Sequence, residues 1–201
     1  MMPAYLPRLT LAAVAAMLFQ TAVFAADMRT NRNSDDSLAP GHSLPLLDIE
    51  AGGEIFVNDD KVVKVPWSST SFDQNNKVQL VQYIAANRGA IKQNKPFTDA
   101  LIKKRFSSKD LNTTIIVQMA DTMSFLKGIV TNRMAKSKLK HETINFVIDD
   151  QGVGLQRWGM KPKSCAVIIL DASGKVLFAK EGPLSDVEIE NTLRLIEQQM
   201  T

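Results

Sequence analysis

Cys165-Ala-Val-Ile-Ile-Leu170, followed by Asp171-Ala-Ser-Gly174 and then by Lys175-Val-Leu-Phe-Ala179, is the stretch from which the fold can be read. Residues 165–170 are apolar on both alternating faces, so a strand made from them must be covered above and below. The Asp-x-x-Gly turn sends the chain back along 176–179 and predicts an antiparallel hairpin. Working outward, residues 77–85 (KVQLVQYIA) and 113–119 (TTIIVQM) carry the same signature of inner strands. Residues 144–148 predict a further strand that ends in Asp149-Asp150-Gln151-Gly152. Between the strands lie helical periods. Residues 90–106 have apolar positions 90, 91, 97, 101, 102 and 106, with Pro96 expected to start a second helix or kink one. Residues 124–139 place Phe125, Ile129, Val130, Met134 and Leu139 among Lys and Arg, the pattern of an amphipathic helix. The last element opens with the capping box Ser185-Asp-Val-Glu188 and aligns Ile189, Leu193, Ile196 and Met200 on one stripe. Short strands at 54–57 and 62–65, around Asn58, Asp59 and Asp60, come before all of these. Alternating strands and helices closed by a hairpin and a helix predict an α/β sandwich: a central mixed sheet flanked by helices, with an N-terminal β extension.

The first residues have a different character. Arg8, the apolar run from Leu9 to Phe19, and Val23 and Ala25 at the −3 and −1 positions read as a signal peptide over 1–25, cleaved after Ala25. The run is shorter than the roughly 20 residues of a bilayer span. No Cys follows it to carry a lipid anchor, so the expectation is export to the periplasm with no stable membrane insertion after cleavage. Residues 26–43 are polar and aperiodic, a flexible lead-in to one domain over 44–201.

Composition narrows the chemistry. The 201 residues carry 24 Lys and Arg against 21 Asp and Glu, a net charge of +3 that is too small to suggest nucleic acid. The basic run Lys136, Lys138, Lys140 and His141 lacks the interleaved aromatics of a base-stacking surface. His42 and His141 have no partner at ligand spacing, so no metal and no cofactor is expected. Asp149 and Asp150 read as turn formers rather than paired catalytic carboxylates. Trp67 and Trp158 read as core or core-edge packing.

The order of elements resembles a thioredoxin-like fold of the redoxin type. The resemblance is carried by Gly41-His-Ser-Leu-Pro45, Gly53-Glu-Ile, the 77–85 strand, Trp158-Gly-Met and Val167-Ile-Ile-Leu-Asp171 with Gly174-Lys-Val. Adding Trp67-Ser, Thr113-Thr-Ile-Ile, Lys180-Glu-Gly and Leu184-Ser, the chain resembles the YtfJ family of small exported bacterial proteins over about residues 41–200. It departs from the family pattern in the loop 86–91 (ANRGAI) and in an acidic pair reduced to Asp121.

The resemblance implies where redox chemistry would sit. Thioredoxin-like enzymes attack disulfides with a thiolate at the end of the first inner strand, beside a helix N-terminus. The alignment puts Arg88 and Ile91 at the two cysteine positions, and the chain has one cysteine in all, Cys165. Dithiol–disulfide exchange is therefore excluded, and no catalytic residue is assigned. The expected role is a non-catalytic binding or accessory module. Its rim, formed by Asn87, Arg88, Gly89, Ala90, Ser164 and Cys165, would contact a periplasmic protein or peptide. The alternative is a thiol-dependent redox or peroxidase-like enzyme using Cys165 alone.

Overall fold

In the computed structural model, residues 38–59, 61–72 and 76–200 are described, and all of them fall in one unit, Ser37–Thr201. Seven strands form one sheet: β1 (Asp48–Asn58), β2 (Lys61–Ser68), β3 (Val78–Ala85), β4 (Leu111–Gln118), β5 (Ile144–Asp149), β6 (Cys165–Leu170) and β7 (Val176–Glu181). Their order is β2-β1-β5-β4-β3-β6-β7. The three strands β3, β4 and β5 run parallel, whereas β6 lies antiparallel to β3 and β7 antiparallel to β6. The sheet is therefore mixed, as read from the sequence, and β1 and β2 extend one edge as the N-terminal addition. Both strands are longer than their apolar cores at 54–57 and 62–65 predicted, because the hairpin ladder continues through polar positions out to Lys61 and Ser68.

Among the described residues, α1 (Arg88–Lys104) follows β3, α2 (Ser124–Lys140) follows β4, α3 (Val153–Arg157) lies between β5 and β6, and α4 (Asp186–Gln199) follows β7. Parallel neighbours need crossovers, which explains why α1 and α2 follow β3 and β4. A single helix runs through Pro96. The proline removes the donor for the carbonyl of Lys92, which lies on an exposed turn where water can take that role. One sheet face carries Leu80, Val167 and Ile169 under Phe97 of α1 and Ile189, Leu193 and Ile196 of α4. The other carries Val81, Tyr83, Ile116, Val147 and Ile168 under Leu47, Trp67 and Trp158, so both tryptophans are core residues.

The α4 capping box forms as expected, with Ser185 Oγ accepting from the Glu188 backbone N–H. Lys180 and the Ser185 donors hold the Glu188 carboxyl down at about 2. Leu38–Ser43, assigned to the lead-in by composition, are instead tied to the hairpin. Gly41 N–H donates to Val176 O at 2.7 Å, and Ser43 bridges to Lys175. The signal-peptide reading over 1–25 and the rest of the lead-in lie outside the described residues. Among the described residues, no helix is long and apolar enough to cross a membrane.

The expected core stripe of α2 needs correction. Met134 and Ala135 are buried there, whereas Phe125, Ile129 and Leu139 are exposed. Val130 of that stripe packs half-buried against the cluster of Ile55, Phe146 and Ile148, and the half-buried Lys127, Thr131 and Lys138 share the inward side with Met134 and Ala135.

Candidate functional site

The parallel strands all end at one edge of the sheet, and β6 starts there. This is where an open α/β sheet offers its crevice. After Ala85, the Ala86 N–H donates to Gln118 O, and Ala85 N–H donates to Ser164 O at 3.0 Å. Asn87 then turns the chain into α1. Its backbone is extended (φ −134°), and its side-chain Oδ1 accepts from Ala90 N–H at 2.9 Å. Asn is among the best residues for that position because a short side-chain acceptor satisfies an orphan donor of the first turn. Asn87 Nδ2 also donates to Lys163 O at 3.4 Å, which ties the β3–α1 loop to the segment entering β6.

All six rim residues read from the sequence are thus brought to one place, in different states. Arg88 and Gly89 are exposed, Asn87 and Ser164 are half-buried, and Ala90 and Cys165 are buried. Ile91, at the second cysteine position of the alignment, is 55% exposed. Arg88, Lys92 and Lys163 make the rim cationic, and all three are exposed.

Cys165 pairs with Ile84 in the sheet ladder and packs with Ala85 and Ala90 behind the first turn of α1. It is 1% exposed, and its Sγ lies 3.9 Å from Gln93 Oε1. Burial, reinforced by the charge of Glu181, pushes the thiol pKa above its ordinary value. A raised pKa keeps the sulfur protonated near neutral pH, and a protonated, covered sulfur is a poor nucleophile. The rim therefore offers a cation, a half-exposed aliphatic side chain and a capped helix start, but no thiolate.

Among the described residues, no group of three or more His, Cys, Asp or Glu is placed to hold a metal ion. A cavity of about 220 Å³ lies at the other end of β6, lined by Ser43, Leu44, Ser69, Phe72 and Leu170. It is separate from the rim.

Sequence reasoning missed a buried polar group at this same edge. Tyr83 donates its hydroxyl to Asp149 Oδ2 at 2.8 Å, and Asp149 also accepts from the N–H groups of Val153 and Gly154. Asp149, read as a turn former, is 0% exposed and anchors α3 to the sheet. Burial and the neighbouring Asp149 push the Tyr83 phenol far above its ordinary range. Trp158 stacks edge-on against Tyr83 with centroids 5.8 Å apart. The available signal was a Tyr on an otherwise apolar strand, which needs a partner when buried. Asp150, its neighbour, pairs with Lys127 at 3.2 Å and with Lys64 at 3.9 Å.

Residues 38–199 match the model of the YtfJ family, described as bacterial proteins of unknown function. The chain belongs to the YtfJ family. It is 28% identical to an uncharacterized protein of Haemophilus influenzae over 186 residues, covering 92% of this chain and 95% of that one. It is 27% identical to the YtfJ protein of Escherichia coli over 158 residues, covering 79% and 85%. Among solved structures it is similar to a thioredoxin-like superfamily protein, with TM-score 0.54, 12% identity, and 79% and 96% of the two chains covered. It is also similar to a thiol-disulfide isomerase from Corynebacterium glutamicum, with TM-score 0.50, 12% identity, and coverage of 78% and 96%. The fold of this YtfJ member is thus thioredoxin-like. At such low identity, the structural likeness speaks for the fold alone.

Proposed function

We propose that this YtfJ member is a periplasmic binding or accessory module that uses the rim of a thioredoxin-like fold without thiol chemistry. The observation that carries this reading is the state of the α1 start. Arg88 and Ile91 face solvent at the positions aligned with the two cysteines of a dithiol enzyme, and the chain's one sulfur nucleophile is sealed behind Ala90. A loop joined to the β6 entry by the Asn87–Lys163 hydrogen bond presents a fixed surface rather than a reactive group. Its cations suit an acidic protein or extended peptide, bound by shape and backbone pairing.

Two measurements test the reading. Titration of the native protein with a thiol reagent near neutral pH is expected to leave Cys165 unmodified until denaturant is added. Rapid labelling of the native protein would instead favour the thiol-dependent enzyme. Affinity capture from periplasmic extract with the wild type and with Arg88→Glu is expected to lose at least one specific protein in the variant. Recovery of the same set by both forms excludes the rim as the docking surface. Arg88 is exposed at the first helical position, and Glu there is favourable to the helix dipole, so the variant folds.

A further inference from the structure

The outward side of α2 presents groups that the fold does not use. Phe125 is 72% exposed and Ile129 48%. Successive helical residues advance by about 100°. Phe125, Ile129, Lys136 and Lys140 therefore lie on one stripe opposite the buried Met134 and Ala135, with Leu126 and Arg133 beside it. The helix contains five cations and no acid. Lys127 is drawn inward to Asp150, and Lys138 to the carbonyl oxygens of Glu142 and Ile144. Arg133, Lys136 and Lys140 form no ion pair among the described residues.

An apolar half-stripe continued by unpaired cations complements a surface that is negatively charged outside and apolar beneath. We propose that this face of α2 docks reversibly on an anionic phospholipid bilayer. Phe125 and Ile129 enter the headgroup boundary, and Arg133, Lys136 and Lys140 meet phosphates. Peripheral helices bind through this combination of apolar area and attraction to anionic lipid. A bilayer is the better fit than a protein here, since the exposed Phe125 and Ile129 sit on the same stripe as lysines, hydrated point charges that meet phosphates without a shaped partner. A second copy docked through the same face would bring cations together without an acid on either helix. The docking stands independently of the rim.

Co-sedimentation tests it, using residues 26–201, which keep the whole unit Ser37–Thr201 and omit the apolar leader. Vesicles of phosphatidylcholine are compared with vesicles containing about one third phosphatidylglycerol. Binding is expected to the anionic vesicles alone and to fall as salt rises. Lys136→Gln with Lys140→Gln is expected to weaken it about thirtyfold. Phe125→Ser with Ile129→Ser is expected to weaken it about tenfold or more. Absence of binding, equal binding to uncharged vesicles, or unchanged binding by both variants overturns the proposal. So does a fall in solution mass from dimer to monomer in the serine variant, which would mark a protein contact. All four substituted side chains are exposed, and matching thermal unfolding confirms that the variants fold.

Discussion

Asp149→Ala is expected to cost about 4 kcal/mol of unfolding free energy, the largest loss from any single polar residue at this edge of the sheet. The carboxyl group receives three donors inside the protein: the Tyr83 hydroxyl and the Val153 and Gly154 N–H groups. Truncation leaves all three unsatisfied, and each unsatisfied buried donor costs about 1–3 kcal/mol, partly relieved where water enters. Tyr83→Phe removes one donor and leaves two, so its cost is expected near 1.5 kcal/mol. The double variant should lose less than the sum of the two, because both members serve one network. Urea unfolding of the three variants checks this. A loss below about 1 kcal/mol for Asp149→Ala, or a larger loss for Tyr83→Phe, would contradict the anchoring role given to Asp149.

Gly53→Ala should be comparably damaging for a different reason. Gly53 has φ +82°, and a Cβ there would collide with the Val65 carbonyl oxygen. The obstacle is backbone, so no rotamer relieves it. The residue also sits in the irregular stretch of β1 between Ile49 and Glu54, opposite Ile148 of β5. Strain at positive φ costs about 1–2 kcal/mol by itself, and forcing β1 from β2 adds to it, for an expected loss of about 4 kcal/mol. Gly182 serves as the control. It has φ +84° with nothing within 4 Å of a built Cβ, so Gly182→Ala should lose only the conformational part. Equal losses at the two sites would show that the close approach to Val65 contributes nothing.

The contrast between α4 and α2 shows how far the sequence could be read. Ile189, Leu193 and Ile196 follow a helical stripe and are buried under the sheet, with the Ser185–Glu188 box in place at the helix start. Phe125, Ile129 and Leu139 also follow helical spacing, yet they face solvent. Periodicity shows that one side of a helix is apolar. It does not show how much of that side its neighbour covers. The same limit applies to Asn94 of α1, which is buried because its Nδ2 donates to Gln82 Oε1 at 2.6 Å. A polar residue in a helical period reads as outward unless its partner, 12 positions away on a strand, is already known.

The amino-acid order alone determined the alternation of strands and helices, the hairpin at 171–174, the capped last helix and the exclusion of dithiol chemistry. Each of these rests on local spacing or on counting one residue type. Tertiary structure decided what surrounds each side chain: that Cys165 is sealed behind Ala90, that Asp149 is an internal anchor, and that α2 leaves its apolar stripe uncovered. Burial and many hydrogen-bond partners depend on residues distant in the chain meeting in space, as Tyr83 and Asp149 do 66 positions apart, and such meetings have no local signature.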